Sequence, residues 1–496
     1  MAKLIDHKQL ESINSLKFED LSHAEKNKQW ENAKLTINTL YEASHQNSDN
    51  SSQPSSADDP WKETNNKTPS VSKPLDENSK QHNRADVRAK REQGYGRNQK
   101  LEVNHVTYFQ PIECSHCGCH TAMTNQKCYT GFYQIDLEKR AGEGNYYHVV
   151  QTKYLLYDAT CGECGGVTRS TIAKIEQDGV EMSRRTLIGP QLASALIRMH
   201  KENGTSIGQI KATLEDFYGI TLSKGAICTA INHGGICCED QVEMYRQEAE
   251  QSSLAHMDET TWKHCGKTVW LWIVVTVTTC LVMMGRRTKQ MALSFLNGRF
   301  NGWLMSDGYR AYRDYKKRFR CWAHLLRKCK GLSESQLPEV AQFGEGLLSL
   351  LSTCMTAIYS ARELSDTSSL SDQLADEVDK IKQLCLDNKD ADHSKTKKLA
   401  REFLNDWEAI FRILDYPDFP LTNNEAERAI RHWVILRKVL IGTQSEKGKR
   451  ATCAIASMIG TGKRRAENFI QTIKNCIQDK MSVITHLSYT KIIRSG

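Results

Sequence analysis

The chain has 496 residues, 39% of them hydrophobic, which is enough for about three or four domains with cores of their own. Its formal net charge of +8 is moderate, and its 17 cysteines, an odd number scattered mostly singly, exclude a disulfide framework. The longest apolar stretch, residues 269–285, is too short and too rich in threonine to span a membrane, and no signal peptide is visible, so we expect a cytoplasmic protein without a membrane partner.

The first 100 residues change character twice. Residues 1–43 are helical in tendency, and their apolar spacing predicts a short pairing helix suited to a homo-oligomer. Residues 44–83, rich in Ser, Asn, Asp and Pro, are predicted to be a disordered linker. A basic arm follows over residues 84–100, where it is suited to contacts with DNA phosphates. The predicted contacts of the arm are Arg88, Lys90 and Arg91.

Residues 84–175 are predicted to combine this arm with a zinc-finger module. Cys114-x-x-Cys117 and Cys161-x-x-Cys164 each lie beside glycines, which predicts two tight turns on one structural Zn²⁺. Aromatic and β-branched stretches over 129–135 and 147–157 predict a hairpin between them. A redox role is disfavoured because neither motif lies in a βαβ pattern. The alternative ligands that remain open are His116, Cys119, His120 and Cys128.

Residues 176–250 are predicted to be a helical DNA-binding region with a helix-turn-helix. Residues 207–217 have apolar residues at helical spacing, residues 218–223 form the turn, and Ser223 is the predicted N-cap of a second helix over 224–232. An ordinary helical hairpin is the alternative. The residues predicted to face a DNA groove are Lys224, Thr229 and Asn232.

Residues 251–332 show the pattern of a buried mixed sheet. A short apolar run over 254–257 ends at Asp258, and a second strand is predicted over 268–279. Further predicted elements are a strand over 281–284, a helix over 289–296 and a strand over 302–305 that delivers Asp307. Asp258 and Asp307 are therefore expected at neighbouring strand ends. This arrangement is typical of the first part of an RNase H-like catalytic core.

A third acid follows a helical insertion. Residues 333–415 have apolar periodicity with little Gly or Pro, which predicts helices, and residues 416–475 are predicted to complete the core. Glu427 falls on a helix that begins near Asn424. Singly each acid is more often a turn or solvated residue, but together Asp258, Asp307 and Glu427 resemble a DDE triad that holds two Mg²⁺ or Mn²⁺ ions for phosphoryl transfer.

Two further features bear on this triad. Glu425 competes with Glu427 for the third place, because residues two apart on a helix point in different directions and both cannot face one metal pair. Basic residues cluster over 310–330, opposed only by Asp314, and again over 428–450. Such runs are often solvated faces, but their position beside two acids favours a bound polyanion.

Four motifs in this order resemble those of the bacterial transposases of insertion-sequence family sixty-six. They are Asp258-Glu259-Thr260, Ser306-Asp307-Gly308-Tyr309, Cys321-Trp322-Ala323-His324 and Asn423-Asn424-Glu425-Ala426-Glu427-Arg428. The likeness runs from Cys114 to Lys474. It implies a zinc finger, a helix-turn-helix and a DDE domain with a helical insertion, with Glu427 as the third acid and small accessory proteins as partners. Thr422 and residues 462–466 depart from the family pattern.

Two hypotheses follow. In the first, the protein is a transposase that binds double-stranded DNA at terminal inverted repeats, cuts it and joins it to target DNA. In the second, it is a DNA-binding regulator whose transposase-derived domain is a silent scaffold. The three acids and the basic runs beside them favour the first hypothesis. No role is predicted for the C-terminal tail, residues 476–496.

Overall fold

The computed structural model describes residue 22 and residues 102–120, 123–139, 146–170, 174–177, 180–183, 186–294, 299–364, 370–481 and 490–494. The predicted pairing helix, the linker and the basic arm, with Arg88, Lys90 and Arg91, lie outside these described ranges and stay predictions. The chain forms two compact units. Of the described residues, the smaller unit comprises those within 102–175, 183–192 and 490–494, and the larger comprises residue 22 and those within 176–182 and 193–481.

Along the described chain, regions made mainly of strands alternate with regions made mainly of helices. The strands are β1 (His105–Pro111), β2 (Met123–Lys139), β3 (Tyr147–Cys161), β4 (Val167–Arg169), β5 (Lys174–Gln177), β6 (Val180–Ser183), β7 (Leu254–His264), β8 (Lys267–Val275), β9 (Cys280–Gly285), β10 (Trp303–Ser306), β11 (Arg318–Arg320) and β12 (Thr490–Arg494). The helices are α1 (Pro190–Ile197), α2 (Ile207–Tyr218), α3 (Lys224–Cys237), α4 (Glu239–Glu250), α5 (Lys289–Ser294), α6 (Trp322–Ser333), α7 (Pro338–Leu364), α8 (Leu370–Gln373), α9 (Ala375–Asn388), α10 (Ser394–Asn405), α11 (Trp407–Phe411), α12 (Asn424–Leu440), α13 (Glu446–Arg465) and α14 (Phe469–Met481).

The smaller unit contains a sheet in the order β12-β1-β3-β2, with β4 also paired to β3. β2 and β3 form the long hairpin that the sequence predicts. β1 lies parallel to β3 and antiparallel to β12, so the C-terminal tail supplies an edge strand. The rings of Phe109, Tyr154 and Phe132 stack in succession across three strands, with centroids 5.8 and 4.7 Å apart. Such ring pairs contribute about 0.5–1.5 kcal/mol each beyond area burial.

The larger unit contains a mixed five-stranded sheet in the order β11-β10-β7-β8-β9. β7, β8 and β9 are antiparallel neighbours, whereas β10 is parallel to β7 and β11 is parallel to β10. The last five residues of β8 are all buried, which explains their continuous apolar sequence. This mixed sheet among many helices confirms the predicted α/β class.

Asp258 does not end a strand, and this prediction was wrong. It lies inside β7, which continues to His264 and pairs with β8 as an antiparallel hairpin. The hairpin turn consists of Cys265 and Gly266, whose φ angles are 48° and 76°. Positive φ at both central residues is typical of a type I′ turn, which matches the twist of the two strands.

The predicted strand over 268–279 is also too long. β8 ends at Val275, and residues Thr276–Thr279 form the turn to β9. The N–H of Thr276 donates to the carbonyl of Thr279 at 2.9 Å, and the two hydroxyl oxygens are 2.8 Å apart. The threonines suggested a strand because they are β-branched, but their hydroxyl groups close a tight turn instead.

Helices α12 and α13 cover the β7-β8-β9 part of the sheet. Trp433 and Ile430 of α12 pack with Trp262 and Ile273 in one apolar cluster. α13 also protects the edge strand β9. The N–H of Cys280 donates to the Thr461 hydroxyl at 3.0 Å, and that of Val282 donates to the Ser457 hydroxyl at 2.9 Å. The hydroxyl oxygens thus accept hydrogen bonds from backbone N–H groups that an open sheet edge would expose.

The insertion is helical, as predicted, and α7 to α11 share one apolar cluster with the sheet residue Phe319 and with Trp322. The two helices of the predicted helix-turn-helix are also present. Ser206 and Ser223 cap α2 and α3 through their side chains. α3 extends beyond the predicted residue 232 to Cys237, and its last five residues are buried.

Within the described residues, no helix combines the length and the apolar character that a bilayer crossing requires.

Candidate metal centres and active site

The four paired cysteines lie close enough together to hold one ion. Cys114 Sγ is 3.6 Å from Cys164 Sγ, and Cys117 Sγ is 3.6 Å from Cys161 Sγ. All four sulfur atoms lie within 4.8 Å of one another. Thiolates at about 2.3 Å from a tetrahedral zinc ion are about 3.8 Å apart, so this cluster fits Zn²⁺.

Both cysteine pairs have the same backbone turn. The glycine after the second cysteine, Gly118 or Gly165, has a φ of 71° or 69°. The N–H of each glycine donates to the carbonyl of the first cysteine, at 3.0 and 2.9 Å. The N–H of His116 donates to Cys114 Sγ, and such donors lower the pKa of the Cys114 thiol to about 6. Backbone donors also lower the pKa of the Cys161 thiol, whereas the pKa values of Cys117 and Cys164 are raised, so each turn favours the thiolate at its first cysteine.

The parallel pairing of β1 with β3 brings the two turns together, because the carboxyl ends of both strands lie at one edge of the sheet. Sequence reasoning missed this pairing and relied on the β2–β3 hairpin alone. The alternative ligands are absent from the cluster that the described residues form. Those alternatives are His116, Cys119, His120 and Cys128.

Asp307 directly follows β10, which lies parallel to β7. The last pair in their register is Met305 with His256, and Asp307 and Asp258 each lie two residues beyond it along the chain. One oxygen of each carboxylate is held by a nearby backbone N–H. Glu259 donates to Asp258 Oδ1 and Tyr309 donates to Asp307 Oδ1, both at 2.8 Å. The second oxygen of each group is left for another partner.

The three predicted acids share one electrostatic environment. Burial raises the pKa of Asp258 well above its ordinary value, and the charges of Asp307, Glu259 and Glu427 raise it further. Oxygen ligands of this kind are those that Mg²⁺ prefers, so the donor set fits a hard divalent cation. Among the described residues, Asp258, Asp307 and Glu427 do not form a group in which one ligand atom of each residue lies within 4.8 Å of those of the other two.

Asn423 positions Glu427 relative to β7. Its amide is fully buried, and Nδ2 donates to the carbonyl of Met257 at 2.8 Å, next to Asp258. Its Oδ1 lies 3.3 Å from His256 Nδ1, and its carbonyl accepts the N–H of Glu427 at 3.1 Å. The start of α12 is therefore tied to the strand that carries the first acid. Sequence reasoning gave Asn423 no role, although a polar residue directly before a helix could have suggested one.

Glu425 lies in a different environment from Glu427. Arg464 of α13 donates to Glu425 at 2.8 Å, and Arg428 also pairs with it. The Arg464 hydrogen bond is the main reason that the pKa of Glu425 is lowered. Glu427 instead lies 3.5 Å from Arg327 and 3.6 Å from His324. Arg464, in the segment that departs from the family pattern, thus pairs with the competing acid.

Glu259 is a fourth acid at this site that sequence reasoning did not assign. Its side chain is only 1% exposed and accepts hydrogen bonds from Arg287 and Tyr312, both at 2.7 Å. The guanidinium of Arg287 stacks on the rings of Trp270 and Tyr309, 4.3 and 4.0 Å from their centroids. Burial still raises the pKa of Glu259, and its hydrogen bonds with Tyr312 and Arg287 offset only part of that rise.

The basic run over 310–330 is only partly a surface feature. Arg318 and Arg320 are buried, and both pair with Asp406 of the insertion, while Glu402 pairs with Arg320 and Lys328. These acids are more than 70 residues away in sequence, so part of the run only looked unopposed. The exposed members of the run are Arg310, Arg313, Lys316, Lys317 and Lys330.

The insertion also reaches the loop that carries Asp307. A Cβ atom on Gly308 would lie 2.7 Å from Arg320 Nη2 and 2.7 Å from Glu402 Oε1. Both contacts are much shorter than ordinary van der Waals separations, so a larger residue would displace the pair or the loop. Asp307 is therefore coupled to the helical insertion through Gly308.

The predicted groove-facing residues of α3 are not equally exposed. Lys224 and Thr229 are exposed, whereas Asn232 is half-buried and faces the start of α13 near Gly448. Beyond it, Gly235 packs so closely on Ala451 that a Cβ atom would lie 2.7 Å from that residue. Only the N-terminal half of α3 is open to a ligand, which is the half that reads bases in helix-turn-helix proteins.

Comparison with known proteins identifies the family of the chain. The family model described as "Transposase IS66 family" matches residues 185–451, more than half of the chain. The protein therefore belongs to the IS66 transposase family. It is also 24% identical over 283 residues to the uncharacterized protein y4qI of Sinorhizobium fredii (strain NBRC 101917 / NGR234), which covers 49% of this chain and 51% of that protein. The chain thus spans about half the length of this curated relative.

Proposed function

We propose that the protein is the DNA transposase of a bacterial insertion sequence. It binds double-stranded DNA at terminal inverted repeats and catalyses phosphodiester hydrolysis followed by strand transfer to target DNA. The larger unit is then an RNase H-like catalytic domain with a helical insertion. The observation that carries the proposal is the shared environment of Asp258, Asp307 and Glu427, because each of the other two charges acts on Asp258.

The carboxylates would hold two Mg²⁺ or Mn²⁺ ions, which when bound would act as Lewis acids that activate the attacking oxygen and stabilise the leaving oxygen. Asp258 and Asp307 enter from adjacent strands and Glu427 enters from α12, so the scissile phosphate is approached from two sides. In the first step a water oxygen attacks phosphorus and the 3′ oxygen of the element leaves. In the second, that 3′ hydroxyl attacks a target phosphodiester and displaces its 3′ oxygen.

The remaining segments serve DNA binding. The zinc module supports the smaller unit through Cys114, Cys117, Cys161 and Cys164. Lys224 and Thr229 of α3 read the terminal repeat, with a smaller part for Asn232 because it is half-buried. The basic arm contributes sequence-independent phosphate contacts. The active form is a homo-oligomer, since two element ends must be joined to one target, and small proteins of the same element assist it.

The test uses end-specific DNA with Mg²⁺ or Mn²⁺ and the variants Asp258→Asn, Asp307→Asn and Glu427→Gln. Each should cut and join DNA about 100-fold or more slowly, as expected when a group that stabilises transition-state charge is lost. DNA binding in mobility-shift assays should be retained, because none of these residues belongs to the DNA-binding helix.

Glu425→Gln is the matched control, because it removes the same charge from the same helix two residues away. It should keep at least part of the activity. Normal cleavage by Glu427→Gln with an inactive Glu425→Gln would show that the third acid is Glu425. If the parent protein is as inert as the variants on verified ends, the scaffold hypothesis replaces the transposase.

A further inference from the structure

A second group of potential metal ligands lies beside the triad. Cys321 directly precedes α6, His324 lies in the first turn of α6, and Glu427 lies in the first turn of α12. One ligand atom from each of the three residues lies within 4.8 Å of the other two. The Cys-x-x-His spacing brings the first two together because residues three apart on a helix are neighbours on one face.

His324 lacks the partner that a buried imidazole normally has. Its Nδ1 atom is buried without a hydrogen bond and lies 3.6 Å from Glu427 Oε1. An imidazole nitrogen without a hydrogen bond, next to a carboxylate oxygen, is a pair of ligand atoms that one metal ion can bridge.

The distance between His324 Nδ1 and Glu427 Oε1 fits one small ion. A nitrogen and an oxygen that are each about 2.1 Å from a tetrahedral zinc ion are about 3.4 Å apart, close to the observed 3.6 Å. Cys321 Sγ, which is buried, accepts the N–H of Asn423 at 3.1 Å and so lies at the junction of α6 and α12. A fourth position would be left for water or a substrate oxygen.

We propose that Cys321, His324 and Glu427 form a second metal site that selects Zn²⁺ or a similar borderline cation. Sulfur and imidazole donors favour such ions over Mg²⁺, which prefers oxygen ligands. Arg327 Nη2 lies 3.5 Å from Glu427 Oε1 and competes for that carboxylate. The site therefore binds zinc more weakly than the four-cysteine cluster, where every ligand is a thiol.

Glu427 belongs to this site and to the triad at once. Zinc at the second site withdraws Glu427 from the Mg²⁺ site, so micromolar zinc inhibits DNA cleavage in the presence of Mg²⁺. This consequence rests on the proposed function, whereas zinc binding itself does not.

The binding test uses the full-length chain titrated with Zn²⁺ and, separately, with Co²⁺. The parent should bind two equivalents of zinc, one tight and one weaker, and the second Co²⁺ equivalent should add a thiolate charge-transfer band. His324→Gln and Cys321→Ala should lose only the weaker equivalent. Cys329→Ala, which removes another buried thiol from α6, should keep both, and Cys161→Ser should lose the tight one.

One equivalent in the parent, or two in His324→Gln, would overturn the proposal. His324→Gln decides this even if Cys321→Ala does not fold, because His324 is a smaller part of the core. Zinc inhibition of cleavage is measured afterwards and should be weaker in His324→Gln than in the parent, relative to each protein's own rate. If two equivalents bind but no DNA is cut, the zinc site stands and the transposase proposal fails.

Discussion

At the scale of single residues, the candidate active site is destabilising for the fold. Asp258 is half-buried, and its pKa is raised by burial and by three neighbouring carboxylates, so its negative charge disfavours the folded state. Burial and the charge of Asp307 also raise the pKa of Glu259, although its hydrogen bonds with Arg287 and Tyr312 offset part of that rise. Charges that disfavour folding are common at functional sites, which is the reason to propose a metal-binding role for Asp258.

Asp258→Asn should therefore stabilise the protein in buffer without added Mg²⁺. Because burial and the neighbouring carboxylates raise the pKa of Asp258, we expect the free energy of unfolding of the larger unit to rise at pH 7 when this charge is removed. Urea denaturation measures this change. Asp379→Asn, which removes an exposed charge from α9, should leave the stability unchanged. A loss of stability in Asp258→Asn would mean that the charge is already balanced within the fold.

At the scale of elements, the site depends on how α12 is attached to β7. Asn423 directly precedes α12 and bonds to the strand on one side and to Cys321 on the other. The Arg320–Glu402 pair plays a similar part for the loop at Asp307, because it fills the space beside Gly308. Polar contacts inside the protein thus hold the start of α12 against β7, and the loop at Asp307 against β11 and α10.

Asn423→Ala should impair cleavage more than DNA binding. The substitution leaves the Met257 carbonyl and His256 without their partner, and an unsatisfied buried group costs about 1–3 kcal/mol. Glu427 should then lose its fixed position, so the cleavage rate at saturating DNA should fall while the DNA dissociation constant stays within about threefold.

Asn424→Ala is the control, because Asn424 is the adjacent exposed amide on the same helix. It should behave like the parent in cleavage and in thermal unfolding. Equal rates for the two variants would show that Asn423 does not position the third acid.

At the scale of the whole molecule, each unit is closed by contacts between distant parts of the chain. In the smaller unit, the residues that follow β1 meet the end of β3 at the four-cysteine cluster, and β12 pairs with β1. In the larger unit, the sheet is completed before the insertion and covered after it by α12 and α13. The smaller unit has the smaller core, so a metal ion contributes more to its stability.

Cys161→Ser should remove the tightly bound zinc and unfold the sheet of the smaller unit. Zinc content by mass spectrometry and hydrogen exchange of β1 and β3 measure the two effects. Cys128→Ser, which changes an exposed thiol of β2 outside the cluster, should keep the zinc and the protection. A zinc-free Cys161→Ser with unchanged exchange rates would show that the metal is not structural.

Much of the candidate site could be predicted because its signals are local. The capping serines of α2 and α3, the helical periodicity of the insertion and the strand that leads to Asp307 each depend on a few neighbouring residues. The hairpin turn at Cys265 and Gly266 was missed because only the backbone angles, not the composition, identify it. The roles of Asp258, Asp307 and Glu427 as metal ligands stay predictions.

The sequence by itself determined which chemical groups are present, their order along the chain and the class of each local element. Only the tertiary structure decided which groups meet. Asn423 bonds to Met257, 166 residues away, and Arg320 bonds to Glu402, 82 residues away. Periodicity and capping act over a few residues, whereas such pairings depend on strand order and helix packing. For the same reason, the sequence favoured Glu427 over Glu425 as the third acid only through the family resemblance. The structure distinguishes the two residues by their partners, because Arg464 pairs with Glu425, whereas His324 and Arg327 lie beside Glu427.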